Sequence, residues 1–224
     1  MKTSTKLIMF LMLSSPVWAN DIYVTQSGNN LVLDITQSGT GNTIGTLALP
    51  SSLTGSATDF TIVQNGNTNE LTFELNGDTY TGNFDVSGNS NTITFLCDSG
   101  NSTAGCDSVT ATINLTGSSN IVDLNIGEND DSTGTTVIKD ITGDSNTITS
   151  TIDSPNAEQT LTITGSTNTI TNTMSGAGVG EHKLTLDHTG TGGIFTLNQT
   201  GIDNKTINLT TDGNNPTVTI TQED

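Results

Sequence analysis

Leu33-Asp34-Ile35-Thr36-Gln37-Ser38-Gly39-Thr40-Gly41-Asn42 holds one strand and one turn. Apolar Leu33 and Ile35 alternate with polar Asp34 and Thr36, the period-two pattern of a half-buried strand. Gly-x-x-Asn then follows, and Gly and Asn suit the positive φ that a tight turn needs. The arrangement recurs. Gly39/Asn42, Gly66/Asn69, Gly88/Asn91, Gly117/Asn120, Gly143/Asn146, Gly165/Asn168 and Gly201/Asn204 each follow a short alternating segment. Alternation restarts after the asparagine, as in Asn69-Glu70-Leu71-Thr72-Phe73. A unit repeated this often is one supersecondary element stacked on copies of itself. The expected fold is therefore all-β, a β-solenoid of strand-turn-strand rungs. A long repeated surface, rather than one active site, is where its function is expected.

The spacing sets the rung. Gly66 to Gly88 and Gly143 to Gly165 are each 22 residues, with Gly77 midway in the first interval. A 22-residue rung of two strands and two turns accounts for both. Divided into the chain, it predicts about nine rungs and, at roughly 4.8 Å per rung, a rod on the order of 45 Å long. Longer intervals require insertions, expected in the turn opposite Gly-x-x-Asn: around Pro50 to Asp59, between Cys97 and Cys106, and at Gly127 to Thr136. A buried asparagine must satisfy its amide, and a ladder of identical side chains lets each one bond the next.

Outside the repeat, the first residues read as a secretory signal. Lys2 and Lys6 form a basic region, Leu7 to Leu13 an apolar run too short to span a bilayer, and Val17-Trp18-Ala19 a cleavage site after Ala19. Residues 1–19 are thus expected to be a signal peptide and 20–224 a single solenoid domain, secreted to the extracellular space or cell surface, with no membrane span in the mature chain. All 23 acidic residues lie after the signal and two of the five Lys+Arg lie within it, so the mature charge is 3 − 23 = −20. With no arginine and three lysines, binding to nucleic acid phosphates is not expected. Cys97 and Cys106 bracket a polar segment and are expected to form a disulfide; as a metal site two ligands are too few. Hydrophobic residues are 31% and aromatics 4%, too few for an ordinary globular core, so it is their periodic placement that argues for folding.

Several repeats carry a further residue. Gln26-Ser27-Gly28, Gln37-Ser38-Gly39-Thr40-Gly41-Asn42, Gln64-Asn65-Gly66-Asn67-Thr68-Asn69 and Gln199-Thr200-Gly201-Ile202-Asp203-Asn204 resemble the curlin repeat, Gln-x-Gly-x-x-Asn after an alternating strand. Elsewhere the Gln is replaced by Val86, Leu115, Ile141, Ile163, His188 and Thr211. Curlins are exported bacterial subunits of amyloid fibres that build biofilm matrix and mediate adhesion. The resemblance implies a solenoid of about 22 residues per rung with inward Gln and Asn ladders, and a fibre subunit here.

Both ends are expected to be open. Ile22-Tyr23-Val24-Thr25-Gln26 begins close to the cleavage point, and only Glu223 and Asp224 follow Thr217-Val218-Thr219-Ile220-Thr221-Gln222. Unpaired strand edges template the addition of another chain. The expected partners are copies of itself, other fibre subunits, or export and assembly factors. Rival readings are a monomeric adhesive rod binding glycans or a protein, and an ice-binding solenoid. The last is suggested by Thr92/Thr94, Thr147/Thr149 and Thr169/Thr171 in matching positions, although Glu70/Thr72 and Ile121/Asp123 interrupt the series. The acidic run Gly127 to Ser132 reads as a solvated loop without the spacing of a calcium loop. His188 stands in a Gln position, as core filling, and His182 lies in the same strand. No nucleophile elbow, phosphate loop or catalytic spacing appears, so neither an enzyme nor a cofactor is expected.

Overall fold

The computed structural model describes residues 6–9, 21–39, 42–46, 48, 50–66, 68–88, 90–97, 106, 108–127, 134–176, 181–201 and 204–224. Over these residues the chain is an all-β solenoid without a helix. Two sheets, parallel throughout, form its walls. The first contains β1 (Lys6–Met9), β4 (Val32–Ser38), β7 (Thr58–Asn65), β9 (Tyr80–Ser87), β11 (Val109–Thr116), β13 (Thr136–Thr142), β15 (Glu158–Thr164), β17 (His182–Thr189) and β19 (Lys205–Asp212), in that order. The second runs through β2 (Asp21–Ile22), β5 (Thr43–Ile44), β8 (Thr68–Asn76), β10 (Ser90–Cys97), β12 (Ile121–Ile126), β14 (Thr147–Asp153), β16 (Thr169–Ser175), β18 (Ile194–Thr200) and β20 (Thr217–Glu223). Beside that path β3 (Thr25–Ser27) pairs with β6 (Ser51–Thr54), which in turn pairs with β8.

Gly39, Gly66, Gly88, Gly117, Gly143, Gly165, Gly190 and Gly213 stack at the turn that leads from the first sheet to the second. From Gly66 onward, a Cβ on each would overlap the carbonyl oxygen of the glycine one rung earlier. That is the physical reason for glycine here. The mean step is (213 − 39)/7, about 25 residues. The solenoid therefore has about seven turns of roughly 25 residues. Twenty-two is the shortest step, found between Asn146 and Asn168, and the longest is 29, between Asn91 and Asn120. Seven steps of roughly 4.8 Å make a rod of roughly 34 Å, shorter than nine regular rungs would give.

Insertions account for the difference. The Cys97–Cys106 segment separates β10 from β11, and residues 127–135 separate β12 from β13, both at the turn opposite the glycine stack. Cys97 and Cys106 form a disulfide with their Cα atoms 5.8 Å apart, closing the insertion at its base; the intervening residues 98–105 lie outside the described residues. The insertion expected around Pro50 to Asp59 is placed differently. Here the second sheet is interrupted between Ile44 and Ser51, and β5 and β6 both continue onto β8. Gly45 leaves the strand at φ 63, where a Cβ would lie 2.5 Å from the Ser51 nitrogen and the Thr72 carbonyl oxygen. Extra residues leave a strand there because a glycine lets the chain turn away without displacing its neighbours.

Inward positions follow the period-two pattern from both sheets. Phe60, Phe73, Phe84 and Phe95 are buried together, with ring centroids 5.3–6.3 Å apart. Gly82 leaves the space that the Phe60 ring enters. Each fully buried ring contributes about 1.5–3 kcal/mol, so this cluster anchors the early rungs. Further along, the core becomes aliphatic, with Ile113, Leu124, Ile141, Ile148 and Leu161 all buried.

Candidate functional site

The repeat residues converge on the glycine turn. Asn42, Asn69, Asn91, Asn120, Asn146 and Asn168 are all buried there. Their bonding differs from the expected side-chain ladder. The side-chain oxygens of Asn120, Asn146 and Asn168 accept from the backbone N–H of Asn91, Asn120 and Asn146, at 3.1, 3.0 and 2.9 Å. Within a turn, the Asn120 amide donates to the Gly117 carbonyl at 2.7 Å and that of Asn146 to the Gly143 carbonyl at 2.5 Å. Asn120 and Asn146 thus each tie their own turn and clamp the rung before, while the amides of Asn42 and Asn69 donate to the Asn65 and Ser87 carbonyls of the rung after. Side chain to backbone wins because the turn's carbonyl and N–H are buried and need partners of their own. Positive φ falls on Gly117, Gly143 and Gly165 and on the residue preceding the asparagine, namely Ser119, Ser145 and Thr167 at 59–60°.

Glutamine forms two separate columns. Gln37 and Gln64 stack on the first sheet, where the Gln64 amide donates to the Gln37 side-chain oxygen at 2.9 Å. Above them the column continues as Val86, Leu115, Ile141, Ile163, His188 and Thr211. Gln199 lies on the second sheet, where Gln222 donates to it at 3.0 Å. Gln26, also on the second sheet, is half-buried and donates to the Ser27 carbonyl at 3.3 Å. Gly201 and Asn204 belong to the opposite turn, between β18 and β19, and Asn204 is exposed. The motif alone does not distinguish the two turns; the order of strands does.

His188 is buried against Phe195, with ring centroids 4.9 Å apart, and its Nε2 lies 3.2 Å from the Gly165 carbonyl oxygen. Burial holds its pKa below the ordinary histidine value, opposed by that hydrogen bond. Sequence reasoning overlooks Lys139. It lies inward on β13, stacked between Ile113 and Leu161 and fully buried, and its Nζ has no hydrogen-bond partner among the described residues. Desolvation pushes its pKa down to about 7, against the attraction of Asp123. The signal was available: Lys139 shares strand parity with Val137 and Ile141, both buried. Among the described residues no three His, Cys, Asp or Glu side chains gather to hold a metal ion. Residues 128–132 of the acidic run lie outside the described residues.

Three outward columns of the second sheet are rich in threonine over its last four strands, beside a fourth that holds Asp153, Ser175, Thr200 and Glu223. Columns Thr147–Thr169–Ile194–Thr217, Thr149–Thr171–Thr196–Thr219 and Thr151–Thr173–Asn198–Thr221 carry ten threonines in twelve positions and no charge.

The ends are unequal. Val218 and Ile220, inward by register with Phe195 and Leu197, are 37% and 49% exposed at the sheet edge formed by β20. At the other end Ile22, Val24, Leu33 and Ile35 are buried, and β1 pairs in parallel with the edge of β4. With residues 6–9 present, the first-sheet edge at that end is thus paired, while β2 stands at the edge of the second sheet. No protein-family model matches the chain, and neither a curated protein nor a solved structure matches it.

Proposed function

We propose that the mature chain is an exported structural subunit that assembles end to end into an extracellular, curli-like fibre. One observation carries this reading: the last rung repeats the inward pattern of the first. Val218, Ile220 and Gln222 continue the columns of Phe195, Leu197 and Gln199. Ile22, Val24 and Gln26 have the same residue types at the same spacing. Ile207, Leu209 and Thr211 stand likewise to Leu33, Ile35 and Gln37. A second copy set on the open end would bury the exposed Val218 and Ile220 and continue the Gln199–Gln222 column into its own Gln26. Such a head-to-tail contact joins different surfaces and does not close, so it makes a filament. The curlin-like repeats add support, since they place glutamine at both ends.

The charge of −20 opposes this contact at neutral pH and low salt. Purified mature chain, residues 20–224, is expected to form unbranched fibres that bind an amyloid dye, several-fold faster at pH 4–5 or in 0.5 M salt than at pH 7 in low salt. Electron microscopy and dye kinetics check this; soluble monomer after prolonged incubation at high concentration in acid contradicts it. A second reading is favoured by the three threonine columns, a repeated array of methyl and hydroxyl groups suited to ordering water. Monomer that depresses the freezing point below the melting point would replace the fibre reading with ice binding.

A further inference from the structure

We propose that the leader segment is an intramolecular stopper, occupying in the unprocessed chain the edge on which a second copy would dock. This rests on the end-to-end reading above. β1, Lys6–Met9, pairs in parallel with β4 in the register Lys6↔Val32, Leu7↔Leu33, Ile8↔Asp34, Met9↔Ile35. Leu33 and Ile35 head the inward columns of the first sheet. Leu7 and Met9 therefore stand at the register positions that Ile207 and Leu209 of a docking copy would take. The mimicry extends to direction, because every neighbouring pair in this sheet is parallel, as a continued solenoid requires.

An unprocessed chain thus has its first-sheet entry edge paired and its last rung free. It can add through its last rung to the entry end of a fibre, and it then presents a blocked edge to the next copy. Removal of residues 1–19 exposes the N–H and C=O groups of β4. Assembly competence is in this way tied to export, and chains retained before processing do not polymerise inside the cell. The sequence permits this because the apolar run needed by a secretory signal is also an adequate edge strand.

The test compares unprocessed chain (1–224), mature chain (20–224) and unprocessed chain carrying Leu7→Pro with Ile8→Pro. Adjacent N–H groups of a strand point to opposite sides, so the double change removes a donor facing β4 whichever one it is. Amide hydrogen exchange over Val32–Ile35 is expected to be at least tenfold slower in the unprocessed chain than in either other form; equal rates overturn the contact. Unprocessed chain added to mature chain at one-twentieth molar ratio is expected to shorten the fibres and slow elongation several-fold, and the double-proline form to do neither. Unprocessed chain that elongates fibres as fast as mature chain overturns the stopper alone. Failure of the mature chain itself to form fibres overturns the end-to-end reading and the stopper's role with it.

Discussion

Gly143→Ala is expected to cost about 3–5 kcal/mol of stability, a large share of what holds most domains together. Two effects combine. Gly143 has φ +147, a conformation that L side chains rarely adopt, and a Cβ there would overlap the Gly117 carbonyl oxygen of the rung before. Neither can relax cheaply, since the turn is held on both sides. Gly117 N–H donates to the Thr142 carbonyl at 2.9 Å, and Gly143 N–H to the Thr164 carbonyl at 2.8 Å. Gly192→Ala is the matched comparison. Gly192 has φ +73 with open space around the position, so only the conformational cost of about 1–2 kcal/mol applies. Urea unfolding of the two variants measures the difference. Equal losses would mean that the glycine stack is not the close contact described.

Lys139→Met is expected to act in the opposite direction, raising stability by about 2–4 kcal/mol at pH 7. Methionine keeps the length of the side chain and fits among Ile113 and Leu161 without a group to desolvate. For a chain of this size the melting temperature should rise by roughly 5–15 °C. The effect depends on pH in a defined sense. The folded-state pKa of Lys139 is lowered to about 7 from an ordinary 10.5. Between these values the unfolded chain binds a proton that the folded chain does not, so stability rises with pH across that window. The penalty is fully present below the folded-state value and vanishes above the ordinary lysine range. The advantage of the methionine variant should therefore shrink from pH 7 toward pH 10. Thermal melts across that range check it; an advantage constant with pH would show that the amine is not held neutral in the core.

Much of the architecture is legible in the glycines. In the stack from Gly66 to Gly213 each marks a place where the rung before comes too close for any Cβ, so steric exclusion at one atom writes the turn directly into the sequence. The strand parity is legible for the same kind of reason, since facing sheets leave one side dry and the other wet. The rung length is less so. Two 22-residue intervals suggest a uniform step, but they are the turns without insertions, and loops at the opposite turn accept residues at little cost. The interruption at Gly45 is hidden because leaving a strand and ending one use the same residue. Gly201 and Asn204 carry the motif of one turn and occupy the other, where the backbone geometry required is similar. The asparagine clamp depends on a carbonyl of its own turn and an N–H of the turn before, and no residue type announces those backbone partners. Lys139 is concealed by habit of reading, because a charged residue beside Asp140 and the exposed Ile138 resembles a solvated stretch until parity is counted.

The end-to-end junction is the central claim, and a pair of introduced cysteines tests it most directly. Within one copy Gln26 pairs in register with Leu53 near the start of the rod, while Gln222 lies on the last strand of the same sheet, so the two cannot meet. In a continued stack they are neighbours on adjacent rungs. Mature chain carrying Gln26→Cys and Gln222→Cys, assembled under reducing conditions and then mildly oxidised, should yield a ladder of disulfide-linked oligomers. Mass spectrometry should find position 26 of one copy linked to position 222 of the next, with the Cys97–Cys106 linkage re-formed. Fibres without that intermolecular linkage, or linkage only between identical positions, would contradict the head-to-tail stack.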